Sequence, residues 1–390
     1  MDKNKILIIE NDVLVRQSIA NRLQESGGFR VTGMTLKDKD PDDMILSLKP
    51  GVALLNIESL ESEGFDIFTR LRRGFPELPI VVISPRTTEG GKAAIKALQM
   101  GAVDFITKPR KGVSLLFARR HLSKRVVPIV RAAAQVNDNI DLFSLESIAG
   151  GRPSHSQQEF EQMSPEARQE PVTRSARLLV VGGCTGGPKA LFSLIAELPV
   201  ELDIPVVIVQ HLPGRYTKLF AEALSEHSRL EVKEAFDGAE LTPGTIWVAS
   251  GGYHSEVHNE DFKMKLRMHR GPREMGDRPS INVLFRSAAQ HYGPETLGVI
   301  LSGHGSDGVG GAKAITMAGG SVLGQKPRSS LAPDMPLRVL RSGITDQSYP
   351  ISELTGQIAK RISGAGKPFG GQSYKKSRYP RPLQVRMNGV

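Results

Sequence analysis

Three apolar runs in this chain of 390 residues each end on a side chain able to do chemistry. In LLVVGGCTGGPKALF the run 178–181 gives way to a glycine-rich turn holding Cys184, the only cysteine, and then to a helix-like segment. In PVVIVQHLPGRYTKLFAEAL the same pattern presents His211, and in LGVILSGHGSDGVGGAKAI it presents Asp307. A thiol, an imidazole and a carboxylate are the parts of a nucleophilic relay: attacking group, base, and the group that orients the base. Gly-x-Cys-x-Gly is the thiol form of a nucleophile elbow, in which glycines allow a turn that pushes one reactive atom clear of a strand end. Taken alone, the cysteine segment leaves two readings open, a nucleophile or a structural turn with an inert thiol. A phosphate cradle is disfavoured, since the terminal Lys-Ser/Thr of a P-loop is missing. A single histidine after a strand is more often structural than catalytic, but three such residues at strand ends reinforce one another.

The elements that must position them follow from periodicity. Residues 1–120 alternate the strand-like KILIIE, FRVTGM, VALLNI, PIVVIS and VDFITK with amphipathic segments such as VLVRQSIANRLQES, FDIFTRLRRG and GGKAAIKALQMG. This predicts a doubly wound parallel sheet with its working groups at the carboxyl ends of the strands. Over residues 121–175 the pattern dissolves into Gly, Pro, Ser and Gln, which reads as a linker with a helix near its start. A second βα series spans 176–365, with strands LLVVGG, PVVIVQH, TIWVAS and LGVILSG. The expected class is α/β, two doubly wound parallel-sheet domains followed by a tail, 366–390.

Composition excludes several classes. The apolar runs are far shorter than the ~18 residues of a membrane span, and the N-terminal segment starts a strand and shows no signal-peptide pattern, so a cytoplasmic protein without membrane insertion is expected. One cysteine excludes an internal disulfide framework and suits a reducing compartment. The net charge of +10 suggests nucleic acid, but six basic residues and no acid lie beyond residue 365, so the folded part is only mildly basic. The tail reads as a solvated basic end, and no nucleic acid is expected. His254 and His258 flank Glu256 in HSEVH, yet the spacing is not H-E-x-x-H and the segment reads as strand, so neither a metal nor a cofactor is expected.

The first 120 residues resemble a response-regulator receiver domain, a flavodoxin-like fold. The resemblance rests on Ser84 in VVISPRT and on Lys108-Pro109 in FITKP. Such domains carry an acidic pair after the first strand and a phosphoacceptor aspartate after the third; here those positions hold Glu10-Asn11 and Asn56. An amide is nearly non-nucleophilic and a poor ligand for Mg²⁺, so acyl-phosphate formation is not expected. Asp12, one residue away from the pair, offers a displaced carboxylate.

GGCTGGP, VIVQHLP, IWVASGGYHSEV, DRPSINVLFRSAA, VILSGHGSDGVGGAKAI and GQKPRSSLAPDMPLRVLRSG together resemble the chemotaxis response regulator protein-glutamate methylesterases, the CheB family, across nearly all of the second unit. The resemblance implies a receiver joined to a Rossmann-like methylesterase domain that hydrolyses glutamate methyl esters, and deamidates certain glutamines, on chemoreceptor helices. Methylated chemoreceptors are then the expected partners, with a chemotaxis kinase or another signalling protein acting through the receiver. It places the catalytic serine at Cys184, the histidine at His211 and the aspartate at Asp307. Thr185 would help orient the site, and the backbone N–H of residue 304 would help bind the oxyanion. The sequence departs from the family pattern at His304 (usually Met), Asn282 (usually Asp) and Asp334 (usually Gly), and the last two bear on substrate contacts and loop shape. Two functions stay open: a hydrolase with a Cys-His-Asp triad, and a catalytically inactive module that binds receptors.

Overall fold

The computed structural model describes residues 2–36, 40–108, 115–134, 175–345 and 347–363, with the backbone path alone over 115–124. In the first unit β1 (Asp2–Ile9), β2 (Arg30–Met34), β3 (Pro50–Asn56), β4 (Ile80–Ser84) and β5 (Asp104–Thr107) form a parallel sheet in the order β2-β1-β3-β4-β5. Strands β3 and β4 are buried at every position, because helices cover both faces of the sheet. Those helices are α1 (Val13–Glu25), α2 (Pro41–Leu48), α3 (Glu63–Gly74), α4 (Thr88–Gln99) and α5 (Leu115–Ala134). Asp12 caps α1, its carboxylate accepting from the N–H groups of Leu14 and Val15 at 3.0 and 3.2 Å.

The second unit holds seven parallel strands, β6 (Leu178–Gly183), β7 (Val206–Gln210), β8 (Glu231–Glu234), β9 (Thr245–Val248), β12 (Thr296–Ile300), β13 (Ser321–Gln325) and β14 (Ser348–Tyr349). Their order is β14-β13-β12-β6-β7-β9-β8, so the winding reverses between β6 and β12. At such a switch point the following loops diverge to opposite faces and leave a crevice at the carboxyl ends. The register closes the argument: Gly182 lies opposite Ile300 on one side and Val209 on the other. The residues that follow, Cys184, the 301–308 loop and His211, therefore emerge at one level. An antiparallel hairpin, β10 (His254–Glu260) with β11 (Lys263–His269), stands apart from this sheet. The helices are α6 (Gly187–Glu197), α7 (Gly214–His227), α8 (Ile281–Tyr292), α9 (Val309–Met317), α10 (Asp334–Arg341) and α11 (Ile351–Ser363).

The boundary expected at residue 120 falls inside α5. Val126, Ile129, Val130 and Ala133 are buried in one cluster with Ile19, Leu23 and Ile106, so the helix continues the first unit as far as Ala134. The rest of the expected linker, 135–174, and the tail from 366 lie outside the described residues.

The two units share a core. Helix α4 packs on α7 so closely that a Cβ on Gly91 would lie 2.7 Å from Leu219. The Tyr216 ring stacks on Phe105, centroids 5.0 Å apart and planes at 15°, and its hydroxyl donates to the Pro85 carbonyl at 2.7 Å. Both rings are fully buried. Replacing either ring by alanine leaves a cavity worth about 3–5 kcal/mol. The Phe105→Ala, Tyr216→Ala double variant should cost clearly less than the sum in denaturant titrations, because each single change already removes the shared contact. Additive losses would show that the stacked pair does not bind the units together.

Candidate active site

Cys184 follows the last residue of β6, and its turn is held from several directions. Its N–H donates to the Ser302 carbonyl at 3.0 Å, and its carbonyl accepts from Gly187 N–H at 3.0 Å and from the Gln210 side-chain amide at 2.7 Å. Gly186 has φ +73°, and a Cβ there would lie 2.6 Å from Leu331 and 2.8 Å from the Ser302 hydroxyl, so the turn admits only glycine. The Ser302 hydroxyl donates to the Thr185 carbonyl at 2.8 Å and accepts from Ala332 N–H at 2.9 Å, tying the elbow to the loop before α10. Gln210 and Ser302 escaped the sequence reading. The signal for Gln210 was a polar residue closing a run of valines and isoleucine.

His211 and Asp307 are both buried, and the imidazole Nε2 meets Asp307 Oδ2 at 2.9 Å. The other ring nitrogen, Nδ1, lies 3.9 Å from Asp277 and makes no hydrogen bond among the described residues. Asp307 also accepts from Ser280 Oγ at 2.8 Å and from the N–H groups of Ile281 at 2.7 Å, Asn282 at 3.0 Å and Gly308 at 3.0 Å. Its carboxylate thus caps α8 from another loop. Burial pushes the Asp307 pKa up, but the hydrogen bond and charge of His211 and the backbone donors outweigh it, and the group is held below the ordinary carboxylate range.

Burial likewise pushes the Cys184 thiol up, yet the charge of His211, with that of Arg125 of the first unit, brings it below its usual value. Burial pushes His211 down, and the thiolate, Asp307 and Asp277 raise it well above an ordinary imidazole. Both shifts favour a thiolate–imidazolium pair.

Thr185 is buried with its hydroxyl 4.0 Å from the sulfur. The N–H groups of Thr185 and His304 donate to nothing among the described residues. The His304 ring instead meets Asp334, Nδ1 to Oδ2 at 2.5 Å, so two positions that depart from the family pattern are partners in space. Asn282 is not part of a substrate surface. It is buried, and its Oδ1 accepts from Gly308 and Gly311 N–H at 3.0 and 2.7 Å, capping α9.

These groups open on a cleft of ≈ 840 Å³ between the two units. Arg86, Arg125 and Pro128 of the first unit line it, with Arg215, Arg273, Arg278 and a single acid, Asp277, from the second. Arg125 donates to the His211 carbonyl at 3.3 Å. Asp104, buried at the start of β5, accepts from Gly186 N–H at 3.1 Å, placing a first-unit carboxylate on the elbow itself. Burial raises the Asp104 pKa, against the pull of Arg125. An acid inside the apolar run VDFITK was the available signal for this contact.

In the first unit Glu10, Asn56 and Lys108 converge. Lys108 Nζ lies 2.9 Å from Glu10 and 3.6 Å from Glu58, and the Asn56 amide donates to Glu58 at 3.4 Å. Asn11 and Ser84 do not join them. Asn11 accepts from Leu36 N–H at 3.0 Å, while Ser84 Oγ donates to the Gly90 carbonyl at 2.7 Å and lies 3.3 Å from the Tyr216 hydroxyl. Asp12 is occupied as the α1 cap, which removes it as a displaced ligand for the pair. His254 lies on β10, its Nε2 on the Pro272 carbonyl at 2.9 Å and its Nδ1 accepting from Ser280 N–H at 3.2 Å, so it holds the loop leading to α8. Among the described residues no group of three or more His, Cys, Asp and Glu side chains is placed to hold a metal, and no helix is long and apolar enough to cross a membrane.

Residues 179–358 match the CheB methylesterase profile and residues 6–118 the response regulator receiver domain. A protein-glutamate methylesterase/protein-glutamine glutaminase of Trichodesmium erythraeum is 32% identical over 362 residues, 93% of this chain and 100% of that one. The chain belongs to the CheB methylesterase family. A relative of the same name from Salmonella typhimurium is 29% identical, over 93% of this chain and 98% of its own. The catalytic domain of Thermotoga maritima CheB methylesterase is 32% identical and covers 47% of this chain and 98% of its own, with a TM-score of 0.46.

The opposed shifts of Cys184 and His211 fix the expected pH behaviour. The thiolate forms at lower pH and the imidazolium persists to higher pH than in the free groups, so both shifts widen the range in which the ion pair is populated. Alkylation by iodoacetamide should reach half its limiting rate below the ~8.5 of a free thiol, and His211→Ala should move that midpoint upward. A midpoint at the free-thiol value that ignores the loss of His211 would refute the pair. In the first unit, acetyl phosphate should leave the intact mass unchanged; a stable phosphoryl adduct on any of its aspartates would contradict the reading of Asn56.

Proposed function

We propose that this chain hydrolyses glutamate methyl esters, and deamidates glutamines, on the cytoplasmic helices of methylated chemoreceptors, with Cys184 as nucleophile. The observation that carries this reading is the buried 2.9 Å contact of His211 with Asp307 at the strand ends beside Cys184, whose thiol the charge of His211 draws below its usual value. The names of the relatives supply the substrate class, and the arginine-lined cleft fits an acidic helix segment.

In the proposed mechanism the Cys184 thiolate attacks the ester carbonyl, forming a C–S bond and an oxyanion. The N–H groups of Thr185 and His304 are the donors available to that oxygen. Collapse breaks the bond to the methoxy oxygen, which takes the proton of the His211 imidazolium and leaves as methanol. Water then gives a proton to neutral His211 and adds to the thioester; the C–S bond breaks, the thiolate–imidazolium pair is restored, and the glutamic acid released loses its proton to solvent to become the carboxylate. Asp307 stays ionised throughout, holding the ring by Nε2 and stabilising its charged form. A chemotaxis kinase or another signalling protein would reach the site through the first unit, whose Asp104 and Arg125 contact the elbow and His211. Protein binding rather than an acyl phosphate would then be the input.

Methanol release from methylated receptor tests this. Cys184→Ala and His211→Ala should each lower it by about 10³-fold or more while receptor binding persists, and the double variant should cost little more than the worse single change, because the residues act as one unit. Native protein that binds receptor and releases no methanol above background, with Cys184→Ser restoring release, would overturn the thiol mechanism and leave the inactive receptor-binding module.

A further inference from the structure

The thiol has a second imidazole near it. In the sheet β6 lies between β7 and β12, so Cys184 at the end of β6 is flanked by the loops that carry His211 and His304. The backbone approach on the His304 side is close: a Cβ on Gly303 would lie 2.9 Å from Cys184 Cβ. His304 is one residue further on and lines the same cleft as the thiol. Its place is fixed by the loop before α10, since Gly303 N–H donates to the Ala332 carbonyl at 2.9 Å and Met335 N–H to the Gly303 carbonyl at 3.0 Å. Asp334, the first residue of α10, then meets His304 Nδ1 at 2.5 Å. The site thus contains two histidine–carboxylate pairs, His211–Asp307 and His304–Asp334, carried by the loops on either side of Cys184.

We propose that His304, held as an imidazolium by Asp334, is a second cationic partner of Cys184 that stabilises the thiolate and the oxyanion it forms. This rests on the reading of Cys184 as nucleophile. The division of labour follows from the proton balance. His211 must surrender its proton to methanol, and from that moment it no longer offsets negative charge in the site. His304 takes no part in that transfer, so its charge persists through acylation and thioester hydrolysis.

The surroundings agree in sign. The hydrogen bond to Asp334 raises the His304 pKa, the Cys184 charge adds to this, and burial and Arg338 of the same helix act against it. Burial pushes Asp334 up, but His304, Arg338 and the Gly305 N–H bring it below its usual value, so the shifts of both members favour the charged pair. The thiol faces His211 and Arg125 as further cations and Asp277 as the opposing acid.

The test is the pH dependence of iodoacetamide alkylation of the full chain from about pH 5 to about pH 9. His304→Gln should slow alkylation about three- to tenfold near pH 6 and leave the limiting rate at high pH within about twofold, as expected for a thiol pKa raised by half a unit to one unit. His304→Lys, which restores a fixed charge, should recover most of the loss. Asp334→Asn should behave as His304→Gln at neutral pH and return toward the native rate in acid, where the unsupported imidazole still takes up a proton. A His304→Gln profile that superimposes on the native one overturns the proposal, and so does a loss that lysine fails to recover. Failure of the nucleophile reading looks different: His211→Ala would then leave the titration unchanged, whatever the His304 variants do.

Discussion

The carboxylate of Asp307 is the point on which the active edge depends. It is 3% exposed and accepts from one imidazole, one hydroxyl and three backbone N–H groups, joining the end of β7, the start of α8 and the loop after β12. A buried carboxylate is tolerable only where such donors replace its hydration. Their presence keeps it ionised, and an ionised Asp307 in turn favours a charged His211 and, through it, an ionised thiol. The order of dependence therefore runs from helix cap to carboxylate to imidazole to thiol.

The first unit enters the same chain of dependence at the elbow. The N-terminus of α6 carries the positive end of a helix dipole, and the carboxylate that meets it, Asp104, belongs to the neighbouring unit. Arg125 of α5 reaches the carbonyl of His211 and contributes to the charge that holds the thiol ionised. Separation of the units would remove both contacts together. Meanwhile Ser84 is turned toward Gly90 and Tyr216, at the junction, and the Glu10–Lys108 pair occupies the region where a receiver of the usual pattern would handle phosphate.

Much of this was legible in the sequence because parallel strands buried on both faces read as unbroken apolar runs, and their carboxyl ends fix where loops emerge. That logic locates Cys184, His211 and Asp307 without coordinates. It fails where the signal is weak or distant. Strand β8, EVKE, lies at the sheet edge and alternates polar residues, and the hairpin β10–β11 is half exposed, so neither reads as a buried run. The extent of α5 was not legible, because past residue 120 its apolar stripe turns into the core of the first unit. The His304–Asp334 pair, the Asp104–Gly186 bond and the capping role of Asn282 each join residues whose proximity arises only when loops from different strands meet.

The lone thiol has a chemical consequence of its own. A thiol that lines a cleft and whose ionisation is favoured is also prone to oxidation, and the first product is a sulfenic acid. Most proteins that survive such an encounter condense the sulfenate with a neighbouring thiol. This chain has no second cysteine to offer. Oxidised Cys184 must therefore be recovered by a thiol from outside, or proceed to sulfinic acid and stay there, which ties the state of this residue to the reductants around it.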